Sequence, residues 1–492
     1  MASSTVLALI GSGVVVLGLI LRVVALGVIP GNRRPTSGMA WLLLILAAPI
    51  LGYLVFLFLG RTALGKKRES RQREALIAIR ARTEGVVPLP LGADAPAYAA
   101  SVVALNRNLG SLPALSGNDI EVEPDYRASI ERMTAAISDS ERYVHVQFYI
   151  TAWDEVTGPL FDACVAAADR GVVVRLLFDH LGSRGIPGYK DMVRRLDASG
   201  IEWRAMLPVS LRALRFRRPD LRNHRKLLVV DGQVGFMGSQ NMTEPGYNKP
   251  KNHARGREWV ELMVQVRGPI VAALDGVFGG DWYAETGETL SVRAHEAPID
   301  IGRTGEAAHG VTAQLVPSGP GYPAENNLRL FTTLIYSATK RISLTSPYFV
   351  PDESLLYAVT TAAQRGVRVE LFVGEEADQF MVGHAQASYY RALLEAGVRI
   401  YLYPAPYVLH AKHFTIDDDV TVIGSSNMDM RSFLLNYEIS LMLLGADVVA
   451  KVRRVEDTYR ERSRELLAEE WSQRSRGARY VDNVMRLTSS LQ

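Results

Sequence analysis

Two short stretches of the 492-residue chain carry the same set of reactive side chains. His224, Lys226 and Asp231 stand in the order His-x-Lys-x4-Asp, and His410, Lys412 and Asp417 repeat it 186 positions later. Each copy is followed by Gly-Ser-x-Asn, with Ser239 and Asn241 in the first and Ser425 and Asn427 in the second, at the same offset. One His-x-Lys arises by chance; two extended copies in register do not. In an extended segment residues i and i+2 share a face, so the His and Lys of each copy point into one cleft. Pseudo-twofold symmetry would then bring together two imidazoles, two ammonium groups and two amides. Such a ring of donors suits a phosphate, whose equatorial oxygens need neutralising during displacement. Asn241, Asn427, Ser239 and Ser425 are the expected phosphate ligands. One imidazole attacks phosphorus and forms a phosphohistidine; the other protonates the leaving alcohol and then deprotonates the incoming one. With two lysines supplying positive charge, neither a metal site nor a cofactor is expected.

A nucleophilic imidazole needs its second ring nitrogen held by a carboxylate that fixes tautomer and direction. Glu261, in Trp259-Val-Glu261, is the candidate in the first half, and Glu438, in Asn436-Tyr-Glu438, is its counterpart in the second. Asp231 and Asp417 belong to the catalytic motif but follow their lysines by five residues at strand ends, so they are assigned a turn-fixing role. His145 and His180 are read as structural residues near strand ends, and His413 as facing away from Lys412. His253, His295, His309 and His384 are read as loop or helix-surface residues.

The elements around these motifs are themselves duplicated. Amphipathic spacing at Ile130, Met133 and Ile137 precedes an apolar run at 143–150, and a further helix leads through Arg170-Gly-Val to a strand at 173–178. Leu328, Phe331 and Leu334 precede a run at 342–350, and Arg365-Gly-Val leads to a strand at 368–373. Strands alternating with helices imply parallel sheets covered on both faces. The first half holds a surplus at 207–222 that includes Arg212, Arg215, Arg217 and Arg218 beside Leu211, Leu214 and Phe216. It reads equally as a contact for anionic headgroups and as a solvated loop.

The N-terminal end is apolar. Residues 5–29 carry one charge, Arg22, placed to snorkel, and residues 39–59 carry none, with Pro49 expected to kink a single helix. Twenty-one residues at ~1.5 Å each span the ~30 Å hydrocarbon core. Residues 61–82 then hold eight basic and two acidic side chains, which by the positive-inside rule places the rest of the chain in the cytoplasm. The expected organisation is two transmembrane helices over 1–60, a basic juxtamembrane linker over 61–111, and lobes over 112–310 and 311–492. Hydrophobic residues make up 48% of the chain and charged residues 22%, which excludes wholesale disorder. A net charge of +3 does not call for nucleic acid, and the single Cys164 excludes an intramolecular disulfide.

The duplicated His-Lys-Asp motif resembles the signature of the phospholipase D superfamily, and more narrowly that of bacterial cardiolipin synthases of this type. The likeness includes Ala40-Trp41, Gly60-Arg61, the His145-Val-Gln-Phe-Tyr149 run, Gly182-Ser183, Thr345-Ser-Pro-Tyr-Phe-Val-Pro-Asp352, Gly424 through Ser432, and Asn436-Tyr-Glu438. It implies an α/β fold: two pseudo-symmetric phospholipase D-like α/β/α lobes with mixed sheets, preceded by a transmembrane helical hairpin. It also implies transfer of a phosphatidyl group between two phosphatidylglycerol molecules, with release of glycerol, at the bacterial inner membrane. The partners are then phosphatidylglycerol and other anionic lipids, not nucleic acid, with a homo-oligomer left open. Asp429 and Arg431 have no counterpart after Asn241, an asymmetry that fits unequal donor and acceptor roles. Tyr348, Phe349, Met428 and Met430 are read equally as a lipid-facing rim and as core. The alternatives on the same scaffold are a hydrolase or a transferase to another alcohol; a nuclease and a non-catalytic lipid-binding scaffold fit less well.

Overall fold

The computed structural model describes residues 2–31, 35–60, 64–84, 86, 95–110, 112–209, 220–290, 310–322 and 325–487. The chain divides into two units, residues 1–64 and 65–492. In the first, Ala2–Val28 is one helix, and its stretch Gly11–Val28 has a mean hydropathy of 2.2, long and apolar enough to cross a membrane. The second apolar stretch is not one kinked helix. It divides into Pro35–Ala47 and Pro49–Val55, followed by a π-helical turn over Phe56–Gly60. Proline drives the residue before it out of helical geometry, and Ala48 sits at φ −135°, ψ 80°. Gly52 permits the close crossing that results, since a Cβ there would lie 2.8 Å from the Leu44 carbonyl. Ala25, Ile29, Leu42, Ile45 and Phe56 form this unit's buried cluster. Arg22 is tied down rather than only snorkelling: its Nε and Nη2 donate to the Leu46 carbonyl at 3.2 and 3.1 Å.

In the second unit the described residues form a 15-stranded mixed sheet. In its first half the parallel strands are Tyr143–Phe148, Val173–Asp179 and Glu202–Met206, joined by the helices that cross over between them. In its second half they are Arg341–Thr345, Arg368–Gly374 and Arg399–Tyr403. The sheet is mixed, as the resemblance implies, because its middle strands are antiparallel. Leu227–Val230, Val234–Gly238 and Met263–Arg267 run antiparallel, as do His413–Ile416, Val420–Gly424 and Glu438–Leu444. Asp231 and Gly232, both at positive φ (54° and 68°), give the tight turn that an antiparallel hairpin needs.

The halves join where Ala114–Glu123 pairs antiparallel with Val311–Ser318, each the innermost strand of its half. Antiparallel pairing of equivalent strands is what a local twofold axis through the sheet produces. Three large buried clusters and a smaller one around Ile186, Tyr247 and Trp259 result among the described residues. One lies on a first-half face, around Ile130, Leu160 and Phe178, and another on a second-half face, around Leu328, Leu371 and Phe414. The third takes Val264, Leu274 and Leu227 from the first half and Leu315, Leu441 and Val452 from the second, beneath the helices Ile270–Thr286 and Ala446–Arg462. That shared core fixes the halves to one another. The stretch read as a linker, 61–111, carries the helices Lys66–Thr83 and Ala99–Gly110, and both contribute residues to the buried interior.

Candidate active site

Each motif begins in an extended segment laced to the opposite half. Val408–Leu409 pairs parallel with Trp259–Val260, and the His410 N–H donates to the Val260 carbonyl at 2.8 Å. Asn223 bridges to Tyr437, and the His224 N–H donates to the Tyr437 carbonyl at 2.8 Å. The residue that follows each of these partners is the carboxylate. His224 Nδ1 therefore lies 3.0 Å from Glu438 Oε2, and His410 Nδ1 lies 2.7 Å from Glu261 Oε1. Each half supplies the carboxylate for the other half's imidazole, a crossing that one candidate in each half did not reveal.

The Ser425 carbonyl also lies 3.0 Å from His224 Nδ1. A carbonyl can only accept, so Nδ1 carries the proton and Nε2 presents its lone pair. Among the described residues, Nε2 of neither ring has a hydrogen-bond partner. Both lysines fold back on their own histidines: Lys226 Nζ donates to the His224 carbonyl and Lys412 Nζ to the His410 carbonyl, each at 2.6 Å.

Ser239 donates to Glu261 Oε2 at 2.6 Å while accepting from the Leu262 N–H at 3.0 Å. Ser425 donates to Glu438 and accepts from the Ile439 N–H at 3.0 Å. Both are fully buried against the carboxylates that face the imidazoles. The glycines before them make this approach feasible, since a Cβ on Gly238 or Gly424 would lie 2.2 Å from the Leu262 or Ile439 carbonyl. Asn241 donates to the Tyr247 hydroxyl at 2.8 Å and accepts from the Ile150 N–H at 3.1 Å. Asn427 donates to Asp429 at 3.1 Å, and its buried Oδ1 has no partner among the described residues.

Asp231 accepts from the N–H groups of Glu141, Arg142 and Tyr143 at 2.8–2.9 Å. Asp417 does the same for Thr339, Lys340 and Arg341 at 2.7–2.9 Å. Each caps the start of the first crossover strand of its own half, which gives their turn-fixing role a concrete form.

Burial sets the electrostatics. His224 and His410 are 7% and 6% exposed, and Lys226 and Lys412 are 0% and 2% exposed. Desolvation lowers both imidazoles, and Lys226, Lys412 and His410 lower His224 further. At His410 the second influence is Glu261, which pulls back up. Desolvation also brings Lys412 down to about 8 and raises Glu438 to about 7. Lys226 is depressed by burial and then by Lys412. The crossed bonds of His224 to Glu438 and the Ser425 carbonyl, and of His410 to Glu261, bring the two motifs to one cleft, and the mutual influences accord with that.

Sequence reasoning missed several neighbours. The Tyr149 ring meets His224 edge-on, with centroids 4.9 Å apart, and Lys226 Nζ lies 5.3 Å from its centroid. Arg225, the middle residue of His-x-Lys, is fully buried and donates to Asp281 at 2.6 Å and to the Glu438 carbonyl at 3.0 Å. The internal position in the motif was the available signal. Phe349 and Met428 are buried and pair across a two-stranded sheet, so they are core, and the Tyr348 hydroxyl donates to Asp378 at 2.9 Å. His145 lies in mid-strand, bonded to Asp275 at 2.7 Å and stacked on Phe278. His413 is buried, 3.9 Å from Glu456. His253 pairs with Glu244 and His384 with Asp482. His295, His309 and the arginines at 212–218 lie outside the described residues.

Residues 133–282 and 331–457 both match the family model described as "Cardiolipin synthase, PLD-like domain". Cardiolipin synthase A of Proteus mirabilis is 33% identical over 447 residues, covering 90% of each chain. Cardiolipin synthase A of Cronobacter sakazakii is 32% identical over 486 residues, covering 98% of each. Among solved structures, a phosphatidylserine synthase of Haemophilus influenzae aligns with a TM-score of 0.61 over 79% of this chain and 99% of its own, at 14% identity, a likeness of fold. With two matched domains, near-complete overlap with these relatives and paired motifs sharing one cleft, the chain belongs to the cardiolipin synthases, phosphatidyltransferases of the phospholipase D type.

Proposed function

We propose that the protein joins two phosphatidylglycerol molecules into cardiolipin and glycerol, with His224 as nucleophile and His410 as acid and base. The observation that carries this reading is the crossed pair of carboxylate-held imidazoles in one buried, lysine-lined cleft. Burial and then Lys226, Lys412 and His410 lower His224, whereas at His410 Glu261 partly offsets the lowering by burial and by the same lysines. His224 Nε2 attacks phosphorus as the bond to the glycerol oxygen breaks, and His410 gives that oxygen its proton. His410 then takes the proton from the headgroup hydroxyl of the second phosphatidylglycerol. That oxygen displaces His224 from phosphorus, and both rings return to their starting state. Lys226 and Lys412 neutralise the equatorial oxygens throughout. Burial keeps water from the phosphohistidine, which favours transfer over hydrolysis.

The apolar segments at 2–28 and 35–60 are read as a two-pass membrane hairpin, with the catalytic lobes, 112–310 and 311–492, in the cytoplasm. Purified protein incubated with phosphatidylglycerol micelles should release cardiolipin and glycerol in equal amounts. Phosphatidic acid as the sole product would reassign the enzyme as a hydrolase, and product formed only with another alcohol would reassign the acceptor. Protease should remove the lobes from inverted vesicles; their protection there would reject the topology.

A further inference from the structure

The helix Lys66–Thr83 follows the apolar N-terminal unit directly and reads as a solvated charged segment, KKRESRQREALIAIRART. Two of its polar residues are nevertheless buried: Arg68 is 3% exposed and Gln72 is 8% exposed. Spaced i and i+4, they lie on one helix face. Burying a guanidinium and an amide is costly unless their partners are specific. Arg68 Nη1 pairs with Glu285, and its guanidinium lies 5.4 Å from the centroid of the Tyr437 ring. Gln72 donates to the Pro320 carbonyl at 2.7 Å and accepts from the Tyr437 hydroxyl at 2.8 Å. Arg225 lies against the same ring, also at 5.4 Å.

Tyr437 is itself wired to the reacting groups. Its N–H donates to the Arg222 carbonyl and its carbonyl accepts from the His224 N–H. It stands between Asn436, which donates to Glu438 at 3.3 Å, and Glu438 itself. A second route runs from Arg68 through Glu285, which accepts from the Leu207 N–H at 2.9 Å, to the Leu207 carbonyl, which accepts from Arg222 at 3.3 Å. Both routes end two residues or fewer from His224.

We infer that Arg68 and Gln72 are positioning residues of the active site, acting through Tyr437 to set the Glu438–His224 pair. The inference deepens the function proposed above and rests on it. It makes the helix after the membrane segment part of the catalytic apparatus rather than a tether.

The test uses full-length protein in detergent, four single variants and one double variant. Gln72→Ala and Tyr437→Phe should each lower kcat about tenfold with KM within about twofold, the scale of one lost hydrogen bond. The acid limb of the rate profile should move to higher pH, because a displaced Tyr437 loosens the adjoining Glu438 from Ser425 and Asn436, whose bonds favour its ionised form. Combined, the two changes should be no slower than the slower one alone, since they remove the same bond. Arg68→Lys should retain intermediate activity. Glu74→Gln, which alters the same helix's bond to Tyr283 and leaves Tyr437 untouched, should match wild type. Tyr437→Phe removes one hydroxyl and keeps the ring, so it remains informative if Gln72→Ala folds poorly. Wild-type kcat in Tyr437→Phe, multiplied effects in the double variant, or equal losses in Glu74→Gln would overturn the inference. Wild-type turnover is measured in the same preparation. If it gives a product other than cardiolipin, the functional reading fails, and the variants are compared on the substrate that is turned over.

Discussion

Replacing Glu438 by glutamine probes the crossed pairing directly. The change keeps the side chain's size and removes its charge. Glu438 accepts from His224 Nδ1 at 3.0 Å, from the Ser425 hydroxyl and from Asn436 at 3.3 Å. A hydrogen bond to a charged group contributes about 1.5–3 kcal/mol, and in the proposed reaction the ring of His224 becomes cationic as it bonds to phosphorus. Losing that support should slow phosphoryl transfer by roughly 10–150-fold. The loss should fall on kcat, because the charge on the ring develops during the reaction. Cardiolipin formation in mixed micelles gives the rate, and imidazole nitrogen NMR gives the tautomer of each ring. Glu438→Gln should perturb the signals of His224 and spare those of His410; Glu261→Gln should do the reverse. A kcat within threefold of wild type, or a perturbation confined to His410 in Glu438→Gln, would refute the crossed assignment.

His224→Ala and His410→Ala should each reduce cardiolipin synthesis by about 10³-fold or more, since nucleophile and acid act as a unit; a mass-spectrometric search for phosphohistidine should find it on His224. Lys412 is brought down to about 8, so its ammonium is lost as pH rises past that value, and kcat/KM should fall there; in Lys412→Arg the residual activity should lack that alkaline limb. Asp417→Asn should destabilise the fold by about 1–3 kcal/mol in denaturant titrations, because three backbone N–H groups lose a charged acceptor. Burial raises the Asp417 carboxyl, but those bonds outweigh it and hold it below the ordinary aspartate value. Its contribution is therefore complete above about pH 4 and lost as pH falls through the folded-state value, where wild type and Asp417→Asn should converge.

The reactive residues were legible because the chain states them twice. His224, Lys226, His410 and Lys412 needed only register and spacing, and the position of Asp231 and Asp417 at strand ends pointed to turns. What stayed hidden depends on contacts far apart in sequence. Glu438 and His224 are separated by 214 positions, and the Asn223–Tyr437 bridge and the bond from Arg225 to the Glu438 carbonyl bring them together. Helix-strand alternation marks the parallel strands, whereas apolar runs such as Leu227–Val230 and Glu438–Leu444 signal burial on both faces but not direction, so the mixed character of the sheet came from the resemblance and not from periodicity. The bonds of Ser239 and Ser425 to Glu261 and Glu438 were not legible, because a hydroxyl's target depends on how closely Gly238 and Gly424 let neighbouring backbone approach. The break at Ala48 followed from Pro49, whose effect was expected to be milder.

The exchange of carboxylates across the local axis has an evolutionary consequence. Duplicated segments ordinarily grant redundancy, and one copy may drift while its twin carries the burden. Here each copy steadies the other's ring, so a lapse in either would disarm both. A chain built this way answers to selection as an indivisible pair.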